Sequence, residues 1–303
     1  MHAGMIGLGR MGGGMARRLA RNGIPVRGFS RDAGASGRFV EDDGDIAVSN
    51  RLEDMLGALE SPRVVWLMVP AGAATEENVG GLAQRLEPGD VVVDGANSHY
   101  RDSQRRGLLL AERKIGFVDA GVSGGVWGLE QGYGLMVGGD REHVDAILPL
   151  IHALAPAPAR GWVHCGPSGA GHFAKMVHNG IEYGLMQAYA EGFSLLAARR
   201  DLGLPLGEIA EAWCHGTVIR SWLLELTAGV LQDEGSLRAV AARVADSGEG
   251  RWTAQEAIEL GIPVPAINAA LMARFSSQDA GDFGARLLAR LRHAFGGHEL
   301  PPA

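Results

Sequence analysis

Four polar side chains with the chemistry of an acid–base site recur along one stretch of the sequence. Lys175, His178, Asn179 and Glu182 stand at i, i+3, i+4 and i+7. On an α-helix this spacing places a lysine, an imidazole, an amide and a carboxylate on one face, where they can move protons and bind hydroxyl groups. The chain from Gly171 to about Arg200 contains no proline, which predicts the long helix that the row needs.

The neighbours of this row favour a buried helix over a solvated one. Apolar residues on either side would bury it, namely Phe173, Met176, Val177, Ile181 and Leu185. A solvated face with an i,i+7 charge pair is the ordinary alternative for an arbitrary helix. Gly180 and Gly184 argue against it, because each glycine weakens a helix by ~1 kcal/mol relative to alanine and leaves room for a close neighbour. We interpret the stretch as an active-site helix with a buried polar row.

The beginning of the chain carries a dinucleotide-binding motif in the required context. Met1 to Ile6 is predicted as a short strand, and Gly7-Leu8-Gly9-Arg10-Met11-Gly12 follows it as GxGxxG at the start of a helix. Gly7 permits a tight turn, Gly9 lets a pyrophosphate approach, and Gly12 allows close packing of helix on strand. The free N–H groups of the helix N-terminus would then face the phosphates.

The end of the second predicted strand, Ile24 to Phe29, bears on the choice of cofactor. An acidic residue at this place would bind the 2′-hydroxyl of NAD. The sequence continues Ser30-Arg31-Asp32, in which Ser30 and Arg31 can hold a 2′-phosphate and Asp32 comes one place too late. NADP is therefore the predicted cofactor, with NAD as the alternative.

Further apolar runs predict a Rossmann-type α/β domain, with strands at 64–69, 91–94, 133–138 and 162–165. Val69 would lie where the cofactor crosses the carboxyl edge of the sheet. Asn97, in a loop after one strand, offers an amide to the nicotinamide ribose and to substrate hydroxyls. Asp119 to Gly125 is predicted as a second loop, whose Ser123, Gly124 and Gly125 could form a nest for a carboxylate. Alone, a Ser-Gly-Gly sequence is ordinarily just a turn, but its position at the carboxyl end of a strand in a dinucleotide-binding sheet favours the nest.

The second half of the chain is predicted to be all-helical. Helical patterns fall at 171–200, 206–231, 236–246, 252–261, 265–277 and 283–295, and the tryptophans at 213, 222 and 252 are predicted to lie in the core. The predicted domains are therefore 1–168 for NAD(P) binding and 169–303 for a helical domain.

Composition excludes several classes of protein. The chain is 46% hydrophobic and 21% charged, which is incompatible with general disorder, and its net charge of -7 gives no support to nucleic-acid binding. Cys165 and Cys214 make neither a disulfide framework nor a metal set. No apolar run approaches the length that spans a membrane. We expect a soluble, cytoplasmic protein without a metal, a nucleic-acid partner or a membrane partner.

Four segments in order resemble one known family. Lys175 to Gly184 (KMVHNGIEYG), preceded by GAGHF, resembles the signature of decarboxylating 6-phosphogluconate dehydrogenase. Gly248 to Thr253 resembles its GxGKWT segment with arginine in place of lysine, and Leu271 to Ser277 resembles its second phosphate-binding segment. Arg292 to His298 resembles its RxxFGxH motif. The chain has room for one helical domain, as in the short form of the family, whereas the long form carries a duplicated one.

The resemblance implies oxidation of 6-phosphogluconate at C3 and decarboxylation to ribulose 5-phosphate. Lys175 would be the base and then, once protonated, the electrophile, and Glu182 would be the acid that protonates the enediol. Burial would have to lower the pKa of the lysine from ~10.4 and raise that of the glutamate from ~4.3. The resemblance also assigns the C1 carboxylate to Ser123, Gly124 and Gly125, hydroxyls to His178 and Asn179, and the phosphate to Tyr183, Arg251, Arg274, Arg292 and His298.

The same resemblance implies a homodimer or a dimer of dimers, in which the partner supplies Arg292 and His298. Two other functions remain open. A β-hydroxyacid dehydrogenase acting on a small 3-hydroxy acid would share the glycine-rich turn, Ser123 to Gly125, Lys175 and Asn179, but has no use for Glu182 or for phosphate-binding residues. A non-catalytic NADP(H) sensor is disfavoured by an intact Lys175–Glu182 pair.

Overall fold

Short apolar runs build the first half of the chain into one largely parallel sheet. A computed structural model describes residues 1–31, 44–233, 235, 237, 239–278 and 283–296, and within them eight strands follow the order β3-β2-β1-β4-β5-β6-β7-β8. Every neighbouring pair is parallel except β6 and β7. The strands are β1 (Ala3–Ile6), β2 (Val26–Phe29), β3 (Ile46–Ser49), β4 (Val64–Leu67), β5 (Val91–Asp94), β6 (Gly116–Ser123), β7 (Gly134–Gly139) and β8 (Trp162–Gly166).

The sheet is buried on both faces by helices. Successive residues of β4 enter opposite cores, with Val64 and Trp66 on one side and Val65 and Leu67 on the other. This is the pattern of a parallel sheet covered on both faces, and the predicted Rossmann-type α/β domain is confirmed. The helices are α1 (Arg10–Arg21), α2 (Leu52–Gly57), α3 (Ala73–Ala83), α4 (Tyr100–Ala111), α5 (Gly128–Gln131), α6 (Arg141–Ala146) and α7 (Leu148–Leu154).

Two parts of the sheet differ from the prediction. β3 was not predicted, because it is a four-residue edge strand with no fully buried residue. β6 runs on to Ser123, so most of the predicted loop from Asp119 to Gly125 is strand. The reason is the antiparallel pairing with β7, whose register extends to Ser123 opposite Gly134.

The chain divides into two compact units, Met1–Val177 and His178–Ala303. The boundary between these units falls inside helix α8 (Ala170–Ala198), whose start lies within one residue of the predicted one. The predicted domain boundary at 168/169 stays a prediction. The described part of the second unit contains helices and no strand, which confirms the predicted all-helical fold. They are α9 (Leu206–Cys214), α10 (Trp222–Gln232), α11 (Glu249–Leu260), α12 (Pro265–Gln278) and α13 (Phe283–Gly296).

Three predictions about the second unit are wrong. The pattern at 206–231 is two helices, because the chain turns between Cys214 and Trp222. The described residues 239–246 are not helical. Their backbone groups bond to side chains of α12 instead, with Ser277 accepting from Val244 N–H and Gln278 donating to Val244 C=O. Trp222 is not a core residue, since it is 42% exposed.

Candidate active site

A cleft of about 820 Å³ lies in the first unit at the carboxyl ends of β1 and β4. The strand order reverses between these two strands, which is where parallel α/β sheets bind their ligands. Six of the predicted cofactor residues line this cleft, namely Gly7, Leu8, Gly9, Ser30, Arg31 and Val69. The cleft has the place and the lining that a dinucleotide needs.

The three glycines of the glycine-rich turn each have a different structural environment. Gly7 has φ of 92°, a conformation that favours glycine. A side chain at Gly12 would collide with the Gly7 carbonyl oxygen, so this glycine permits the close packing of α1 on β1. A methyl group on Gly9 would meet nothing within 4 Å, because this residue borders the open cleft. Leu8 is buried, whereas Arg10 is exposed at the start of α1 and Met11 packs against the core.

Ser30 and Arg31 follow β2, at the position that bears on the choice between NADP and NAD. The Ser30 N–H donates to the Ser49 carbonyl oxygen over 3.1 Å, which fixes this turn on the edge strand β3. Arg31 is exposed and lines the cleft. Asp32 lies outside the described residues.

A buried ion-pair network supports the loop that presents Asn97. The guanidinium of Arg106 donates to Asp94 over 2.7 Å, to the Ser98 hydroxyl over 2.8 Å and to Glu76 over 2.8 Å. Asp94, Ser98 and Arg106 are buried, while Asn97 between them is exposed. The network therefore fixes both ends of a loop whose middle residue is free to bind a ligand. Sequence reasoning did not single out Arg106.

The predicted carboxylate nest follows directly on β6. Gly124 and Gly125 have φ of 122° and 53°, so Ser123 is followed by a turn that glycine favours and by the 3₁₀ turn Gly125–Trp127. Arg18 of α1 fixes the residues after it, donating to the carbonyl oxygens of Leu129 and Glu130 over 3.0 and 3.3 Å. The segment that follows the predicted nest is thus bonded to α1, the helix that begins at the cofactor cleft.

Lys175 is the buried member of the predicted row, being 7% exposed. Its stem lies against the backbone of β6, where a methyl group on Gly121 would collide with the Lys175 Cβ. The helix that carries it begins on a buried carboxylate, because Asp119 accepts from the N–H groups of Gly169 and His172 over 2.6 and 2.8 Å. This link joins residues fifty positions apart, so no local pattern indicates it.

His178 and Glu182 of the row are not buried in the way the sequence predicted, and Asn179 is half-buried. The side chains of His178 and Glu182 are each 45% exposed, with His178 Nδ1 3.9 Å from the Glu182 carboxylate and 3.1 Å from the Asn179 side-chain oxygen. Ile181 and Leu185 are also about half exposed. The prediction of a buried row is therefore wrong for His178 and Glu182, whose polar side chains lie near each other at the surface of α8.

Three residues predicted to bind phosphate form one contact group in the second unit. The Arg274 guanidinium lies 3.5 Å from the centre of the buried Tyr183 ring, and Arg251 lies 4.8 Å from that of Phe275. Arg251 also donates to Asp246 over 2.6 Å. Although burial opposes it, hydrogen bonding to Arg251 and to the backbone keeps the pKa of Asp246 below its ordinary value. Arg274 is therefore held on an aromatic ring where its guanidinium can bind an anion, whereas Arg251 is already paired with Asp246.

The last two residues predicted to bind the phosphate are Arg292 and His298. Arg292 is exposed on α13, and His298 lies outside the described residues. No cluster of three His, Cys, Asp or Glu residues that could hold a metal occurs in the described part of the chain. None of the described helices is long and apolar enough to cross a membrane.

Comparisons with known proteins agree along the whole chain. Residues 2–166 match the NAD binding domain of 6-phosphogluconate dehydrogenase, and residues 171–290 match the C-terminal domain of the same enzyme. An NAD(+)-dependent, decarboxylating 6-phosphogluconate dehydrogenase of Haloferax volcanii is 44% identical over 301 residues, which cover 99% of this chain and 98% of that protein.

Longer relatives match over part of their length. The decarboxylating enzyme of Lactococcus lactis strain IL1403 is 38% identical over 90% of this chain and 61% of its own. A solved structure of Plasmodium falciparum 6-phosphogluconate dehydrogenase, described in apo form and in complex with NADP+ and with 6-phosphogluconate, is 28% identical with a TM-score of 0.84. It covers 100% of this chain and 66% of its own.

Proposed function

The chain belongs to the family of decarboxylating 6-phosphogluconate dehydrogenases, and from this premise we propose that it converts 6-phosphogluconate to ribulose 5-phosphate and CO₂. The relative from Haloferax volcanii has nearly the same length, so the comparison covers a whole enzyme. The structural observation that carries the proposal is the buried Lys175 beside β6, the strand that ends in the Ser123–Gly125 nest.

Oxidation requires a base for the C3 hydroxyl and an anchor for the C1 carboxylate. We assign the base to Lys175 and the anchor to Ser123 with the N–H groups of Gly124 and Gly125. A nicotinamide dinucleotide held by the glycine-rich turn and Val69 would supply the hydride acceptor for C3, and Lys175 takes the proton of the C3 hydroxyl. The resulting 3-keto acid loses CO₂, and the protonated lysine stabilises the negative charge that develops on the C3 oxygen.

The enediol left by decarboxylation must be protonated at the former C2 of the substrate, which becomes C1 of ribulose 5-phosphate, and we assign this proton to Glu182. Hydroxyl contacts are assigned to Asn97, His178 and Asn179. The phosphate is assigned to Tyr183, Arg251, Arg274, Arg292 and His298. The stacking of Arg274 on Tyr183 supports this assignment, because it holds a guanidinium in place before an anion binds.

The cofactor is a nicotinamide dinucleotide, and we propose a preference for NADP over NAD. Ser30 and Arg31 at the rim of the cleft support this preference. Relatives of both kinds occur, since the Haloferax volcanii enzyme is NAD(+)-dependent and the Plasmodium falciparum structure is described with NADP+. Leu8 to Gly12 and Val69 complete the proposed cofactor site.

We further propose that the working unit is a cytoplasmic homodimer or a dimer of dimers. Large apolar side chains stay exposed along α8, where Ile181, Leu185 and Leu195 are 52%, 48% and 71% exposed. A second copy of the chain would remove such a surface from water. A small-substrate β-hydroxyacid dehydrogenase and a non-catalytic sensor are not favoured by the comparisons.

The proposed function is tested by the rates of NADP⁺ and NAD⁺ reduction with 6-phosphogluconate. We expect turnover with release of one CO₂ for each reduced cofactor. Gluconate without the phosphate and 3-hydroxyisobutyrate serve as controls. Turnover with 3-hydroxyisobutyrate alone would favour the small-substrate dehydrogenase, and no turnover with any hydroxy acid would favour the sensor.

A further inference from the structure

One face of β6 carries three residues that each have a different task. Asp119, Gly121 and Ser123 are two positions apart, so they point to the same side of the strand. Asp119 holds the start of α8, Gly121 lies against the stem of Lys175, and Ser123 opens the nest assigned to the substrate carboxylate. One face of β6 therefore contacts the start of α8 and the stem of Lys175, and it ends at the proposed substrate anchor.

The Asp119 carboxylate is fully buried and both of its oxygens are engaged. Oδ1 accepts from Gly169 N–H over 2.6 Å, and Oδ2 accepts from His172 N–H over 2.8 Å. The first N–H groups of a helix have no partner within the helix, and negative charge is favourable there. His172 adds a second fixed point, since its Nδ1 lies 2.7 Å from the Ser103 hydroxyl of α4. The first turn of α8 thus has two buried connections to the sheet domain.

Helix α8 approaches the sheet closely because two of the residues in contact are glycines, which have no side chain. A side chain on Gly121 would collide with Cβ of Lys175, and one on Gly171 would collide with the Met136 carbonyl oxygen. Lys175 is three residues beyond His172, which is less than one helical turn. Any tilt or fraying of the first turn would therefore displace the lysine relative to Ser123.

We propose that Asp119 is a positioning residue for Lys175, setting its register against the substrate anchor at Ser123. Gly121 and Ser123 are ~7 Å apart along the strand, a separation that the reach of a lysine side chain can span. This inference rests on the proposed function, because it assumes that Lys175 is the base. A displacement of about 1 Å in such a site can lower the rate by ~10²-fold.

The test compares two isosteric variants, Asp119→Asn and Asp90→Asn. Asp90 is the control, because it is also buried and accepts two backbone N–H groups, from Arg63 over 2.7 Å and from Glu87 over 2.9 Å, in addition to an ion pair with the Arg63 guanidinium over 3.3 Å. It directly precedes β5, whereas the cleft is at the carboxyl ends of the strands. In Asp119→Asn the amide nitrogen must face an N–H donor, so one end of the cap is lost.

We expect Asp119→Asn to lower kcat with 6-phosphogluconate by about tenfold to a hundredfold, with KM for NADP⁺ within about twofold of wild type. Asp90→Asn should keep kcat within about twofold, whatever its melting temperature. If both variants lose the same fraction of kcat, or Asp119→Asn keeps wild-type kcat, the inference is overturned. A wild type that does not oxidise 6-phosphogluconate would refute the proposed function, and the inference would fall with it.

A second pair of variants decides the matter if Asp119→Asn does not fold. Gly121→Ala pushes on the Lys175 stem directly while leaving the Asp119 cap intact. Gly134→Ala on the paired strand is its control, since the added methyl would lie 3.7 Å from the Ser123 Cβ, an ordinary contact. A kcat at least tenfold lower in Gly121→Ala than in Gly134→Ala supports the inference, and equal kcat values contradict it.

Discussion

The side chain of Thr253 fills the space that a side chain at position 180 would need. A methyl group on Gly180 would lie 2.8 Å from the Thr253 Cγ2 and 2.9 Å from its Oγ1, closer than such atoms approach. Thr253 is buried on α11 and its hydroxyl donates to the Glu249 carbonyl oxygen over 2.8 Å. Gly180 thus lets α8 and α11 pack closely within the second unit, and its neighbour is protein rather than a ligand.

Gly180→Ala and Gly184→Ala should consequently have opposite effects on stability. Both gain up to ~1 kcal/mol of helix propensity. Only Gly180→Ala overpacks the contact with Thr253, at a cost of ~1–3 kcal/mol, because a methyl on Gly184 meets nothing within 4 Å. Thermal unfolding of the two variants checks this, with the melting temperature of Gly180→Ala expected to be several degrees lower. Equal melting temperatures would show that Thr253 can move aside.

The sequence predicted those parts of the fold that depend on local pattern. The start of α8, the glycine-rich turn after β1 and the all-helical second unit follow from proline spacing, glycine positions and periodicity. Edge strand β3 was missed because it is short and half-buried. The described residues 239–246 are not the helix predicted there, and side chains of α12 bind the backbone groups of Val244, a contact that no local propensity reveals.

The sequence predicted which residue types form the candidate site better than it predicted how buried they are. Spacing placed Lys175 and Glu182 on one helix, but Lys175 is 7% exposed and the Glu182 side chain 45% exposed. Burial depends on what packs against a helix, and that is decided by distant segments. The Asp119 cap and the Arg106 network were missed for the same reason, because their partners lie far away in the sequence.

Lys175 and Glu182 should act at different steps of the reaction. We expect Lys175→Met to lower kcat by ~10²–10⁴-fold. It should also abolish the formation of NADPH in the first turnover, because no base remains for the C3 hydroxyl. Glu182→Gln should retain a rapid first turnover followed by slow steady-state release of ribulose 5-phosphate. Stopped-flow absorbance of NADPH distinguishes these outcomes.

Glu191→Gln is the control for that experiment, since it removes another exposed carboxylate from α8, one that accepts from Gln187 over 2.8 Å. It should behave as wild type. Near wild-type turnover in Lys175→Met would exclude the lysine as the base. Loss of the first turnover in Glu182→Gln would show that this residue also serves the oxidation.

Arg31 should determine the preference for NADP. Its exposed guanidinium lines the cleft at the end of β2, where a 2′-phosphate would lie. A hydrogen bond to a charged group contributes ~1.5–3 kcal/mol, so Arg31→Gln should raise KM for NADP⁺ by about 10–100-fold. KM for NAD⁺ is the internal control and should change by less than about threefold. Equal losses with both cofactors, or a wild-type preference for NAD⁺, would contradict the assignment.

Glu76 should make stability depend on pH in the acid range. Hydrogen bonds from Arg105 and then from Arg106 lower its pKa from 4.5 to about 2, although burial opposes the shift. A carboxyl whose pKa is depressed in the folded state stabilises the protein above its unfolded pKa, and this contribution is lost as the pH falls from about 4.5 towards 2. The Glu76 side chain is 38% exposed, so we expect about 1 kcal/mol at neutral pH.

Urea unfolding of wild type and Glu76→Gln at pH 7, 5 and 3.5 measures this contribution. The difference in unfolding free energy should be largest at pH 7, similar at pH 5 and smaller at pH 3.5. Glu77→Gln removes a carboxylate from the neighbouring position of α3 and serves as the control for net charge. A difference that grows as the pH falls would show that the ion pairs with Arg105 and Arg106 do not stabilise the folded state.

Arg292 and His298 should work in the active site of the partner subunit. Arg292 is exposed on α13, near the end of the chain, as expected of a residue that must reach a second copy. The test mixes two inactive variants, Lys175→Ala and Arg292→Ala, and lets their subunits exchange, with native mass spectrometry to measure mixed dimers.

If Arg292 acts in trans, each mixed dimer has one intact site and one doubly damaged site. Random pairing makes about half of the dimers mixed, so activity should recover to roughly a quarter of wild type. A mixture of Lys175→Ala with Lys175→Met is the control and recovers nothing, because no site regains a lysine. If the first mixture also recovers nothing although mixed dimers form, Arg292 acts within its own subunit.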